Sequence, residues 1–256
     1  MPEDRPAQRA LLAAHQDQHE HELPAETGDQ AENEPRLRAV DLTHDEMVRL
    51  YGPWAGRTPR DVADLFVGYA GPWWVAGGWA LEAFTGVARD HEDCDPSVLR
   101  DDLPQLRRHL AGRLDLWAAS SGSLWPVLAD DRADATADEI LPEGCGQLWA
   151  RRSAVDPWEF DILLAPGDAD TWVYKRDPRL RLPLADACWE RDGVHYLQPE
   201  IQLLYKARGL RAKDRADFDA TLPFLDRARR RWLLDALRAT LPGHQWVDTL
   251  AVAPAP

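Results

Sequence analysis

Apolar positions become periodic from Leu42 onward, and their spacing alternates between that of helices and that of strands. The clearest helix follows Thr58-Pro59, which supplies an N-cap and a first-turn proline, and its apolar residues from Val62 to Tyr69 recur at helical spacing. This pattern predicts that the folded part of the chain begins near residue 42.

A glycine pair separates a short apolar run from a helical one. Residues 73–76 are all apolar and predict a buried strand, which Gly77-Gly78 interrupts. Residues 79–84 have helical spacing, and Gly86 is a typical C-cap. The predicted order is therefore strand, glycine turn and helix.

The remaining pattern predicts an α/β (α+β) fold, in which helices flank a mixed sheet. From Pro199 to about Leu241 the apolar spacing is helical, which predicts a small C-terminal helical lobe. Further predicted strands are 91–99, 114–118, 147–151, 158–164, 172–176 and 194–197, and a further predicted helix is 101–110. The expected organisation is a tail of residues 1–41, a domain of residues 42–197 and a helical lobe of residues 198–256.

The first 35 residues differ from the rest in composition. They hold nine acidic residues against Arg5 and Arg9, and almost no aromatic or branched apolar residue follows Leu12. Such a segment buries too little apolar surface to offset its ordering entropy, so we expect it to be disordered. Its histidines, His15, His19 and His21, receive no role.

The charge and cysteine content limit the classes of partner and compartment. The formal net charge of -14 disfavours a general nucleic-acid or membrane-surface binder, because such proteins present basic surfaces. The three widely spaced cysteines form no metal or disulfide motif. No apolar run approaches the roughly 18–20 residues that a membrane helix needs. We expect a cytoplasmic protein with a small-molecule partner.

Two acids stand close together at Asp93-Cys94-Asp95. On a strand, residues i and i+2 face the same side, so both carboxylates lie together and Cys94 faces the other way. Two like charges at this separation are costly without a counter-ion. Mg²⁺ is the natural counter-ion, because it binds one or two carboxylates together with nucleotide phosphates.

Asp161 is a third candidate ligand. It stands in the apolar run Phe160–Leu164, where an unpaired ionised acid would be expensive. In a two-metal site such an acid ligates an ion or accepts the proton of the incoming hydroxyl. Gly77-Gly78 complements the acids, because a bare backbone before a helix N-terminus can approach a phosphate.

The order of these motifs resembles the polymerase-beta nucleotidyltransferase superfamily. A strand, Gly77-Gly78, a helix, a strand with Asp93 and Asp95, and a later strand with Asp161 match its layout. The stretches 74–95 and 196–218 resemble the branch of the aminoglycoside 2''-adenylyltransferases, and the resemblance covers roughly residues 42–250.

The resemblance implies a nucleotidyltransferase fold and an activity. Asp93, Asp95 and Asp161 would hold two Mg²⁺ ions, and Gly77-Gly78 would hold the nucleotide phosphates. ATP would donate AMP to a hydroxyl of a small molecule, for example an aminoglycoside, which is a reaction of antibiotic resistance.

Basic residues near these motifs are candidates for binding the triphosphate. Lys206 and Lys213 belong to the predicted C-terminal helices, and both could reach phosphates as point charges. Arg89 lies four residues before Asp93 and could steady a phosphate or orient that acid. Trp79, beside the glycine pair, is a candidate for stacking on the adenine or a sugar.

Two other functions stay open at the level of sequence. A toxin-like nucleotidyltransferase that modifies tRNA or protein would use the excess of ten basic over five acidic residues between Lys206 and Arg238. A catalytically silent nucleotide-binding protein is suggested by Pro96, because proline removes a ladder donor and predicts that the strand after Asp95 ends early or bulges.

Overall fold

The computed structural model of the protein describes residues 42–128 and 134–252. The predicted acidic tail of residues 1–41, with its three histidines, lies outside these residues.

An eight-stranded sheet is the centre of the fold, and a two-stranded hairpin stands apart from it. The sheet strands are β1 (Trp73–Val75), β2 (Pro96–Leu99), β3 (Asp115–Ser120), β4 (Ser123–Val127), β5 (Gln147–Arg151), β6 (Phe160–Ala165), β9 (Cys188–Arg191) and β10 (Val194–Leu197), and the hairpin strands are β7 (Thr171–Val173) and β8 (Arg181–Pro183). The strand order of the sheet is β4-β3-β5-β6-β2-β1-β10-β9.

The sheet is mixed, as the sequence predicted. β1 runs parallel to β10 and antiparallel to β2, and β2 runs parallel to β6. The carboxyl ends of β1 and β10 and the amino ends of β2 and β6 therefore lie at one edge of the sheet. That edge collects the residues that follow β1 and precede β2 and β6.

Helices cover both faces of the sheet. They are α1 (His44–Tyr51), α2 (Pro59–Leu65), α3 (Gly77–Thr85), α4 (Leu103–Leu110), α5 (Ala137–Ile140), α6 (Leu184–Ala187), α7 (Pro199–Ala207), α8 (Ala212–Thr221), α9 (Arg227–Thr240) and α10 (Trp246–Val252). Helix α2, which the sequence predicted after Thr58-Pro59, begins with a capping box between Thr58 and Asp61.

Strand residues alternate between two hydrophobic cores. Val75 and Val98 belong to a core with α2 and α4, whereas Trp74 and Leu99 belong to a core with α7, α8 and α9. The predicted C-terminal helices thus pack directly on one face of the sheet. The division of the chain after Leu197 stays a prediction.

Some predicted boundaries are wrong. The strand expected over residues 91–99 begins only at Pro96, and the helix expected from Trp79 begins at Gly77. Proline is tolerated as the first residue of a strand, because the ladder has not yet begun there. Strands β4, β8 and β9 were not predicted.

Within the described residues, no helix is both long and apolar enough to cross a bilayer.

Candidate active site

The glycine turn joins three elements at the edge of the sheet. Gly77 has φ +68°, a left-handed conformation that glycine adopts without steric cost. Its N–H donates to Gln202 Oε1 of α7 at 2.9 Å, and the N–H of Ala76 donates to the carbonyl of Asp95 at 2.9 Å. Because β1 and β10 are parallel, α3 and α7 start side by side, which brings Gln202 to the turn.

The bare backbone of the glycine pair lets two charged side chains approach it. A Cβ atom on Gly77 would overlap the carboxylate of Asp95, and one on Gly78 would overlap the guanidinium of Arg89. Helix α3 has Ala76 as its N-cap, whose side chain makes no cap hydrogen bond, and Gln202 accepts from the N–H of Gly77 alone in the first turn. Its N-terminus therefore keeps backbone donors and positive dipole beside the acids, as an anion site requires.

We expect Gly77→Ala to be far more harmful than Gly86→Ala. Both glycines have positive φ, so both substitutions strain the backbone by about 1–2 kcal/mol, but open space surrounds Gly86. Gly77→Ala also displaces Asp95, and should lower kcat by a further factor of about 10–100. Thermal unfolding and transfer rates of both variants test this; equal losses would show that Asp95 does not depend on the turn.

Asp93 and Asp95 lie in the extended segment before β2. Although the strand begins later than predicted, the alternation of faces holds, because Cys94 is fully buried in the opposite core. The carbonyl of Cys94 accepts from Asp161 N–H at 3.3 Å, so the segment continues the pairing with β6. Both acids face the same cleft.

Asp161 lies beside Asp95 on the neighbouring strand. Ser97 pairs with Leu163 in the parallel ladder, and that register, carried back two residues, sets Asp95 next to Asp161. Asp161 Oδ1 is buried and makes no hydrogen bond of normal geometry among the described residues; the side chain of Trp149, on the paired strand, is a weak donor to this acid. A cation would complete the coordination of this acceptor.

Burial and neighbouring charge raise the pKa of two of the three acids. Burial, followed by the charge of Asp93, raises the pKa of Asp95 to about 7. Burial, followed by the charges of Asp95 and Asp93, raises the pKa of Asp161 well above its ordinary value. The fold thus disfavours the ionised forms of Asp95 and Asp161, and a bound cation would relieve this cost.

The donor set fits magnesium as part of a nucleotide complex. Within the described residues, no group of three or more His, Cys, Asp and Glu side chains is arranged to hold a metal ion unaided. Mg²⁺ in nucleotide sites does not need such a group, because it takes one or two carboxylates and completes its shell with phosphate oxygens and water. Asp93, Asp95 and the unpartnered Asp161 oxygen meet that requirement.

Basic side chains face the acids from α8 and from the end of α7. Lys206 is buried, and its Nζ lies 2.8 Å from Asp217 Oδ2 and 3.5 Å from Asp214 Oδ1. Arg89 Nε lies 3.0 Å from Asp217 Oδ1. Lys213 Nζ lies 3.2 Å from Glu92 Oε2, and both of these side chains are largely exposed.

The acids, the glycine turn and the basic side chains line one cleft of about 940 Å³. All the predicted metal ligands and phosphate-binding residues line it, namely Gly77, Gly78, Arg89, Asp93, Asp95, Asp161, Lys206 and Lys213. The structure therefore brings together residues that are up to 136 positions apart in the chain.

Sequence reasoning missed four contributors to the cleft. Gln202 orients the glycine turn, Asp214 and Asp217 hold the basic residues, and Lys175 extends from the β7–β8 hairpin into the cleft. Gln202 could have been found, because it precedes Lys206 by one helical turn and shares its face. Nothing local in the sequence points to Lys175.

Trp79 does not serve as a platform for a nucleotide base. The sequence left it as a candidate because it follows the glycine pair. In the structure it stacks on His91, with ring centroids 3.9 Å apart, and His91 Nε2 lies 2.8 Å from Glu82 Oε2. Trp79 is thus part of the packing of α3 and does not line the cleft.

The chain resembles known proteins in structure and not in sequence. No protein-family model matches the chain, and no curated protein matches it in sequence.

Three solved structures resemble the chain in fold. The antibiotic-resistance factor ANT(2'')-Ia is 16% identical over 70% of this chain and 89% of its own, with a TM-score of 0.44. The lincosamide antibiotic adenylyltransferase LnuA, with lincomycin bound, is 15% identical over 68% and 99%, with a TM-score of 0.45. The Megavirus polyadenylate synthase is 13% identical over 72% and 32%, with a TM-score of 0.34.

The identities and scores are low, so the function proposed below rests on the residues of the cleft.

Proposed function

We propose that this protein is a nucleotidyltransferase that moves a nucleoside monophosphate, AMP from ATP, to a hydroxyl group of a small molecule. The observation that carries this proposal is that Asp93, Asp95 and Asp161 line one cleft together with the glycine turn at the N-terminus of α3. Burial and the charges of neighbouring acids disfavour the ionised forms of Asp95 and Asp161, and a bound cation would remove this cost.

Each group of residues has a separate task. Asp93, Asp95 and Asp161 would hold two Mg²⁺ ions, which stabilise the charge that develops on the entering and leaving oxygens. The backbone N–H groups at the start of α3 would bind phosphate oxygens. Arg89, Lys206 and Lys213 would neutralise the triphosphate from the other wall of the cleft.

The reaction is an in-line displacement at the α-phosphorus of ATP. The acceptor oxygen forms a bond to phosphorus, and the bond between that phosphorus and the bridging oxygen of the β-phosphate breaks. The electron pair leaves with pyrophosphate. The hydroxyl proton passes to Asp161, which lies beside Asp95 in the cleft.

A direct assay tests the proposal. The full chain is incubated with Mg²⁺, labelled ATP and a panel of hydroxyl compounds that includes aminoglycosides, and both labelled product and pyrophosphate are measured. Asp64→Asn is the control for variants of the three acids, because Asp64 is exposed on α2 and lies outside the cleft. Absence of label and pyrophosphate with every acceptor would contradict the proposal.

Magnesium together with a non-hydrolysable ATP analogue should raise the melting temperature of the wild-type protein. Ligands that bind only the folded state at about a hundred times their Kd stabilise it by about 2.7 kcal/mol. For a domain of this size that corresponds to several degrees. Calorimetry with and without EDTA measures the shift, which we expect to vanish in Asp161→Asn; an equal shift in that variant would remove Asp161 from the site.

A macromolecular acceptor has less support from the structure. Part of the basic excess between Lys206 and Arg238 is paired within the chain. Arg229 pairs with Asp226 and Glu200, and Arg231 pairs with Asp235. These acids reduce the local positive charge, so we propose the small-molecule acceptor; label in RNA or in a protein band would favour the alternative.

A further inference from the structure

Lys175 lines the cleft and has no task in the transfer reaction proposed above. It follows strand β7, and its Nζ lies 3.6 Å from the position of a Cβ on Gly146, just before β5. Among the described residues no ion pair or side-chain hydrogen bond holds its ammonium group. Burial, followed by the charge of Arg176, lowers the pKa of Lys175, and Asp161 opposes that shift.

Arg176, the residue after Lys175, attaches this part of the hairpin to Tyr205 of α7. Arg176 Nη1 donates to the carbonyl of Tyr205 at 3.0 Å, and its guanidinium lies over the Tyr205 ring at 5.6 Å. Both basic residues line the cleft together with Trp172 and Tyr205. This wall therefore combines two cations with aromatic surface, on a segment that is tied to α7.

The order of the strands places this wall on the acceptor side. The glycine turn follows β1, Asp95 precedes β2, Asp161 lies on β6, and Gly146 precedes β5, so these groups succeed one another across the sheet. An in-line displacement needs the entering and leaving oxygens on opposite sides of phosphorus. With pyrophosphate over the glycine turn, the acceptor approaches from the β6 side and extends toward β5 and Lys175.

We propose that the acceptor carries an oxyanion, a phosphate or a carboxylate, which Lys175 and Arg176 bind on the β5 side of the three acids. This inference rests on the proposed function and narrows its substrate class. Lys175 and Arg176 are both exposed to solvent, and a polycationic acceptor such as an aminoglycoside would still place like charges beside them, which is unfavourable. The aromatic walls of Trp172 and Tyr205 suit an acceptor with a ring or another apolar part.

The experiment compares acceptor probes that differ in charge. The full chain is saturated with Mg²⁺ and a non-hydrolysable ATP analogue, and calorimetry measures the binding of glucose 6-phosphate, gluconate, glucose and glucosamine. We expect at least one anionic probe to bind at least about tenfold more tightly than glucosamine. The comparison of the two anionic probes decides between phosphate and carboxylate.

Charge reversal at Lys175 gives the sharper test. Lys175→Glu should reverse the order of anionic and cationic probes, whereas Arg181→Glu, in the same hairpin but outside the cleft, should keep it at the same net charge. Lys175→Gln, which should abolish the preference, serves if the reversed variant does not fold. In turnover, the KM for the acceptor should rise in Lys175→Gln while the KM for ATP stays constant.

Three results would overturn the inference: an unchanged order of probes in both Lys175 variants, tight binding of glucosamine to the wild type with no binding of either anionic probe, or a change confined to the KM for ATP. The binding measurements need no turnover. A charge preference that depends on Lys175 would therefore survive even if no pyrophosphate were released, and the two failures can be told apart.

Discussion

Replacing Asp95 with asparagine is expected to lower kcat for nucleotidyl transfer by at least about 10³-fold, and at the same time to stabilise the protein in EDTA. The loss of activity follows from the loss of a charged metal ligand. The gain in stability follows from the raised pKa of Asp95, to about 7, because an acid that the fold prefers to keep neutral costs stability when it is ionised.

The sign of the pH dependence can be worked out for this group. The unfolded carboxyl has a pKa of about 4. Between about pH 4 and 7 the native state binds more protons than the unfolded state, so the stability of the wild type falls as the pH rises through this window. Asp95→Asn lacks this contribution to the pH dependence, because its side chain does not ionise. Its advantage should be largest above about pH 7, on the order of 1–3 kcal/mol, and should disappear near pH 4.

Melting temperatures of the two proteins across this pH range, in EDTA, measure the effect. Asp64→Asn is the matched control, because Asp64 is exposed and lies outside the cleft, and it should show neither change. Retention of more than about a tenth of the wild-type kcat by Asp95→Asn would remove Asp95 from the metal site. A variant that is less stable than the wild type at every pH would show that the carboxylates do not repel one another.

Asp214→Ala is expected to lower the free energy of unfolding by about 3–5 kcal/mol, the largest effect on stability that the structure predicts. The Asp214 side chain is 1% exposed and accepts from Arg211 N, Nε and Nη2 at 2.9–3.1 Å. Lys206 Nζ lies 3.5 Å away. Without this acid, buried positive charge in the cleft wall loses a partner and α8 loses its capping box.

Asp219→Ala is the control for this prediction, because Asp219 has the same charge, lies on the same helix and is exposed. Chemical denaturation should show a change within about 0.5 kcal/mol for Asp219→Ala. The melting temperature of Asp214→Ala should fall by about 10 °C. Equal stability of the two variants would mean that Arg211 and Lys206 find other partners, and that the wall of the cleft is not built around Asp214.

The predictions that succeeded depend on local periodicity. Cys94 enters the core while Asp93 and Asp95 face the cleft, because side chains of an extended chain alternate between two sides. This holds although the strand itself starts only at Pro96, since hydrogen bonds of the Cys94 and Asp95 carbonyls keep the preceding segment extended. A face can therefore be predicted where a boundary cannot.

The protein partners of individual side chains could not be predicted from local pattern. Trp79 was a candidate for stacking on a base because it follows the glycine pair, and in the structure its ring stacks on His91 outside the cleft. Arg89 lines the cleft as expected, and its guanidinium lies against Gly78 and pairs with Asp217, which is 128 positions away; its role toward phosphate stays a prediction. Such partners depend on which helices pack together.

The sequence by itself determined the mixed α/β class, the glycine turn before a helix, and three acids on strand faces, because backbone preference and apolar periodicity act over a few neighbouring residues. Only the tertiary structure decided that β10 lies beside β1 and β6 beside β2. That order brings Gln202 to the turn and Asp161 to Asp95, and it leaves Lys175 at the far wall of the cleft. These contacts join distant segments, and they arise from the packing of whole elements, which no local pattern contains.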